Sequence, residues 1–407
     1  ADPDLDEERV GMSRSDVADR SLRLLRFSLE SHIAGSYHCM DSTSWGHTWI
    51  SVLGIERMMH AVDGIADLLS DSDRGLLRKV LESEANWIHD EHGIEAGLYG
   101  HEGRNKPESN IWNGALLHRV ATMFPDTPRA TEYRSKGDRF LANGISVPSD
   151  DDVEEANFFE SLALNHHSYL NVGYMVICLS NVAMLHFFYK ERHIEAPKVL
   201  YKHVLDLWEL IKHCTFPDGR LLRIGGDTRA RYCYCQDYLI PVLLLVADLT
   251  GDPDLARFEE GWLELVEREA VHNGGGLFLS ERCATMRDAS PLYFTRLESD
   301  RAATLSMGAY WRRGVGSTER SAPRDTGTPD SSFLWQDEYH GACLHRTNNR
   351  IASWVWRSGE LPQGLMLPAD RSDMAEWRQN LAGLIRGTGN YHVNEVLCHD
   401  QHQFEGG

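Results

Sequence analysis

Across residues 17–270, apolar positions recur at three- and four-residue steps, and short breaks carry Gly, Pro, Asp or Ser. That spacing predicts a succession of helices. The stretches fall at 21–33, 48–69, 74–88, 111–123, 129–141, 172–189, 234–249 and 253–270. Val204, Leu207, Trp208 and Ile211 mark another, which Pro197 is placed to start. The stretch 172–189 is apolar nearly all round, so it must be covered on several sides rather than laid on a surface. Repeated helical hairpins with buried inner helices predict an α/α toroid or incomplete barrel. A solenoid is the alternative, although the residues show no fixed-period repeat.

After His272 the texture changes. Gly274-Gly275-Gly276 leads into short apolar and aromatic segments at 277–279, 305–312 and 351–356, with a polar Gly, Ser, Thr and Pro loop over 314–330. The expected organisation is therefore mainly α, with a toroid over 1–272 and a β-rich, sandwich-like part over 273–407. The last part is short for a large sandwich and its tail lacks a closing strand pattern, so the expected sheet is incomplete at its C-terminal end.

The 407 residues are 42% hydrophobic and 25% charged, an ordinary globular composition that excludes a mainly disordered chain. A net charge of −20 sets the overall field against nucleic acid and anionic membranes as partners. Ser180, Asn181 and His186 interrupt the longest apolar run, so the reading is a soluble protein. The chain opens Ala-Asp-Pro, which reads as a processed form or a fragment: periplasmic or secreted in the first case, cytoplasmic otherwise. Eight scattered cysteines have neither the density nor the spacing of a disulfide scaffold. Nothing in the pattern fixes an oligomeric state.

Three clusters carry candidate chemistry. Asn165-His166-His167 precedes the most buried stretch, where polar groups at a helix terminus would project into a barrel interior; a helix cap plus a core histidine is the plainer alternative. Phe216-Pro217-Asp218-Gly219-Arg220 is a turn. It is followed by Arg223, Asp227, Arg229, Arg231, Tyr232 and Tyr234, an arginine-rich patch that would lower a tyrosine's pKa and attract a carboxylate or sulfate. A solvated loop with its arginines paired to surface carboxylates is the alternative there. The third cluster is Trp335-Gln336-Asp337-Glu338-Tyr339-His340-Gly341, followed by His345 and Arg346.

A helical barrel with Asn-His near a helix end, an Arg-rich Tyr segment after it and a histidine in a following β part resembles the heparinase II/III-like polysaccharide lyases and the related alginate lyases. The resemblance implies β-elimination beside a uronic acid, with an acidic polysaccharide or oligosaccharide as partner. Removing the C5 proton requires the sugar carboxylate to be neutralised, a role the resemblance gives to Asn165 and His166. Tyr232, beside Arg229 and Arg231, is the first choice for the tyrosinate base and Tyr234 the second, while His340 or the same tyrosine protonates the leaving oxygen. Trp45 and Trp49, four apart on an expected helical face, are candidate sugar platforms, with Asn113, Arg223 and Arg231 as further substrate contacts. No cofactor is implied. Some members of the family carry a structural metal, and Cys398-His399-Asp400-Gln401-His402 holds zinc-type ligands but no second spaced pair, so no metal site is assigned.

Two other readings stand beside this one. A glycoside hydrolase on the same barrel would need two carboxylic acids, available from Glu154, Glu155, Glu160, Asp218, Asp227, Asp337 and Glu338. A non-catalytic carbohydrate-binding protein would need only the aromatic and polar cleft.

Overall fold

The computed structural model describes residues 5–99, 105–153, 155–222, 224, 235–252, 254–274, 276–279, 283–315, 332–357 and 363–375. The chain divides into two compact units. The first comprises residues 1–95 and 109–144, and the second residues 96–108 and 145–407.

The first unit is helical. Its elements are α1 (Glu7–Val10), α2 (Arg14–Glu30), α3 (Ser51–Gly64), α4 (Asp71–Glu91), the greater part of α5 (Pro107–Met123) and α6 (Ala130–Ala142). Ser70 starts α4 through a capping box with Asp73, whose carboxylate also takes two hydrogen bonds from Arg26 on α2 at 2.7 and 2.9 Å. Leu29, Val52, Ile55, Met59, Val80, Leu81, Leu116 and Phe140 fill the core. Arg119 and Glu56 form a buried ion pair within it at 2.8 and 2.9 Å. Burial pushes the His60 imidazole down to about 4, with Asp63 opposing the shift and Arg119 adding to it. The unfolded chain therefore binds a proton that the fold refuses, and stability falls as pH drops from 6.5 toward 4, by roughly 3 kcal/mol from this residue. Thermal unfolding at stepped pH should show His60→Leu with a flatter acid limb; an unchanged limb would place the loss elsewhere.

The second unit is built on α7 (Val172–Glu191), α8 (Val204–His213), α9 (Leu239–Thr250), α10 (Asp254–Asn273), α11 (Ala284–Ala289) and α12 (Pro291–Trp311). As its all-round apolar pattern requires, α7 packs against more than one neighbour, α8 and α9, and α9 packs in turn against α10 and α12. Pro241 is tolerated because it lies in the first turn of α9, where its missing N–H has no helical acceptor to serve. By length and composition α7 is apolar enough to cross a membrane, yet 89% of its most apolar window is buried within this structure. At Gly308 an added Cβ would lie 2.8 Å from Ile240, so the close approach of α12 to α9 depends on the missing side chain.

The region after His272 departs from expectation. Residues 305–311, read as an extended segment, form the last turns of α12, and the sheet begins only at Phe333. The helix was concealed by its own inward stripe. Phe294, Leu297, Arg301, Thr304, Met307 and Trp311 are buried at three- and four-residue steps, and the two polar members break the apolar pattern. Beyond it, β3 (Phe333–Asp337), β4 (Ala342–Arg346), β5 (Arg350–Val355) and β6 (Gln363–Pro368) form an antiparallel meander in the order β3-β4-β5-β6. Ala342 and Leu344, Ile351 and Val355, and Leu365 and Leu367 turn the same way into the core. Arg346 ties the sheet to the helices by donating to the carbonyls of His213 and Thr215 at 2.7 and 2.8 Å, beyond the end of α8. Helices followed by an antiparallel sheet are thus present as the pattern predicts.

Candidate functional site

Asn165 and His166 do not lie at a helix terminus. They form β1 (Asn165–His166), paired with β2 (Tyr169–Leu170), and it is Asn171 that caps α7 by accepting from the Tyr174 amide at 3.1 Å. The two-residue loop, His167 and Ser168, has φ of 58° and 70°, the left-handed backbone that a tight hairpin requires. Neither residue is glycine, so each costs about 1 kcal/mol or more to hold there. Strain of this kind persists where the surrounding structure fixes it, and here it turns Asn165 and His166 into the interior, 1% and 5% exposed.

His340 reaches the same place from the sheet. The turn between β3 and β4 is closed by the Gly341 amide donating to Glu338, with Gly341 at φ 54°. Within it the Asp337 carboxylate accepts from the His340 amide at 2.9 Å and from His340 Nδ1 at 2.6 Å. Its other oxygen accepts from the Ser161 hydroxyl at 2.6 Å. Burial pushes the Asp337 carboxyl up, but the His340 ring, the Ser161 hydroxyl and the His340 amide outweigh it and hold it below its ordinary range. With Nδ1 so held, His340 Nε2 is directed at Asn165 Oδ1, 3.3 Å away. Residues 175 positions apart thus meet in one buried contact.

The flanking residues orient both partners. His166 Nδ1 donates to the Asn105 carbonyl at 2.9 Å, leaving Nε2 facing Glu108 at 3.7 Å. Its ring lies 4.2 Å from that of His167 and 4.1 Å from that of Tyr174. Around His340 stand Phe159 and Tyr339, with ring centroids 5.6 and 4.9 Å away. Tyr99 packs on Tyr339 at 5.2 Å and is 50% exposed, so a run of rings connects the buried histidine to the surface.

Of the other expected site residues, some are not described and the rest fall elsewhere. Arg223, Arg229, Arg231, Tyr232 and Tyr234, with Asp227, Glu154 and the Cys398–His402 segment, lie outside the described residues. The turn that precedes the arginine patch does form: the Phe216 amide donates to Arg220, Gly219 adopts φ 75°, and the Gln236 side chain bonds both Gly219 and Leu221. Trp45 and Trp49 do not share a helical face, because a parallel bridge from Trp45 to His32 and the left-handed His47 delay α3 until Ser51. Trp45 instead donates to the Ser28 carbonyl at 2.8 Å, while Trp49 is exposed and lies 6.3 Å from Trp112. Asn113 is fully buried in the first unit, donating to Ser109 at 3.4 Å.

Of the carboxylates available to a hydrolase, Asp337 is engaged as above and Glu160 accepts from Ser149 at 2.6 and 3.0 Å. Asp218 accepts from Ser372 and from the Arg220 amide. Glu155 and Glu338 are exposed. No cluster of three or more His, Cys, Asp or Glu suited to a metal occurs among the described residues.

Sequence reasoning missed Asp337 as the partner of His340, although their three-residue spacing before a glycine is the signature of a side-chain-closed turn. It also missed Ser161, Asn105 and the aromatic group of Tyr99, Phe159 and Tyr339, for which no local signal exists. Compared with models of protein families and with curated proteins, the sequence matches none.

Proposed function

We propose that this chain is a polysaccharide lyase that cleaves beside a uronic acid by β-elimination. In this reading the helices close as an incomplete α/α toroid and the four strands belong to a sandwich. One observation carries it: the hydrogen-bonding contact of Asn165 with a histidine whose other nitrogen is held by a buried carboxylate.

The chemistry follows from those groups. The Asn165 amide and His166 neutralise the sugar carboxylate, so that negative charge can spread onto it as the C5–H bond breaks. The proton passes to a tyrosinate, Tyr232 or Tyr234, made acidic by the neighbouring arginines. The C4–O bond then breaks and a C4–C5 double bond forms. His340 gives the leaving oxygen its proton, with Asp337 fixing the orientation of the ring through Nδ1. Asp337 is spent on that task, which supports elimination over a hydrolase that would need it as one of two free acids.

Incubation with a panel of uronate polymers should raise ultraviolet absorbance, because the new double bond is conjugated with the carboxylate. Tyr232→Phe should lose at least about a hundredfold of that rate with the melting temperature unchanged. Full activity in Tyr232→Phe with loss in Tyr234→Phe would move the base to Tyr234, and no absorbance on any polymer would refute the lyase.

A further inference from the structure

Arg357 stands out among the groups next to His340. Its backbone amide donates to the His340 carbonyl at 2.9 Å, and its guanidinium carbon sits 4.6 Å from the centroid of the Tyr339 ring. The cation is therefore one ring away from the site described above. Among the described residues no carboxylate pairs with it, and its Nε is shielded from water without a hydrogen-bond partner. In a chain of net charge −20 this is an unusual state for an arginine. The shielded Nε is closed to a solvent ion, but the Nη groups are not among the shielded atoms and present the charge-assisted donors that an oxyanion would meet. Tyr99, half exposed and 5.2 Å from Tyr339, offers a flat apolar face beside it.

We propose that Arg357, Tyr339 and Tyr99 form an anion subsite that binds the carboxylate or sulfate of the sugar unit next to the bond being cleaved. The inference rests on the lyase reading for the identity of the sugar, but the subsite itself is a matter of binding. Arg357 acts as a specificity residue: it selects an acidic sugar over a neutral one and takes no part in proton transfer.

Calorimetric titration of the full chain with three hexasaccharides tests this: oligoalginate, carrying carboxylates; a heparin fragment, carrying carboxylates and sulfates; and maltohexaose, neutral. The wild type should bind at least one acidic sugar more tightly than maltohexaose. Arg357→Met should weaken acidic binding about tenfold while changing maltohexaose binding less than twofold, and Arg357→Lys, which keeps the charge, should recover part of the loss. Preference for the heparin fragment would assign sulfate, and preference for oligoalginate would assign carboxylate. The subsite is refuted if Arg357→Met leaves acidic binding within twofold, if it weakens all three sugars alike, or if the wild type binds none of them.

Failure of the lyase reading looks different. Acidic binding that depends on Arg357, with no unsaturated product from the wild type, would keep the subsite and remove the elimination. Unsaturated product with an affinity indifferent to Arg357 would do the reverse.

Discussion

His340→Ala should lower the kcat for unsaturated product by about a thousandfold while leaving the affinity for an acidic oligosaccharide within a few-fold. The magnitude is that of removing a positioned general acid, and binding survives because the sugar's charge is met by other residues. Loss of the ring also removes the Nδ1 hydrogen bond to the buried Asp337 carboxylate, at a cost of about 1–3 kcal/mol. His340→Gln keeps a hydrogen-bonding group in the turn and should recover stability without recovering rate. Asp337→Asn is the companion measurement. It keeps the shape of the turn but loses the negative charge that holds Nδ1, so the rate should fall by an intermediate factor. A stable His340→Ala protein with undiminished turnover would remove the histidine from the mechanism.

The largest effect on stability should come from Arg301→Met. Arg301 is fully buried; its Nε donates to both oxygens of Asp237 at 3.0 Å and its Nη1 to Glu269 at 2.9 Å. Burial works against the Arg301 charge, but Asp237 and Glu269 outweigh it and raise its pKa. Deleting the cation removes the charge that offsets the burial of Asp237, itself 1% exposed, and should cost about 3–5 kcal/mol. In a unit of this size that corresponds to a fall in melting temperature of about 10 °C. Replacing Arg301 and Asp237 together by Met and Leu should restore much of the loss, since the more deeply buried of its two carboxylate partners then goes with the cation. A single replacement that melts with the wild type would mean that the pair holds nothing together. The turnover of folded protein at low temperature should be unaffected in either variant, which separates this network from the chemistry at His340.

What could be read from the residues alone follows from how far apart the interacting groups lie. The helices α4, α5, α6 and α8 were legible because an apolar residue every third or fourth position is itself the condition for burying one face, and α7 because a stretch apolar nearly all round must be covered on several sides. The helix α12 was not, because Arg301 and Thr304 occupy inward positions and only their partners on other elements make that tolerable. Asn165-His166 was visible as a polar pair before an apolar helix. Its hairpin was hidden because two non-glycine residues accept left-handed backbone angles. The turn Asp337 to Gly341 was local enough to be read, yet the pairing of Asp337 with His340 inside it was missed. The meeting of His340 with Asn165 was proposed on resemblance alone, since no rule of spacing connects residues of the hairpin and of the sheet. Trp45 and Trp49 show the opposite failure: a helical spacing is present, but a backbone bridge to His32 keeps the helix from starting there.

The product formed in heavy-oxygen water tests the central claim most directly. Elimination at the Asn165 and His340 site predicts fragments whose masses sum to that of the substrate, one bearing a new double bond and neither carrying solvent oxygen. Fragments that together gain one water, with the heavy oxygen fixed at a new reducing end, would contradict it and make the protein a hydrolase.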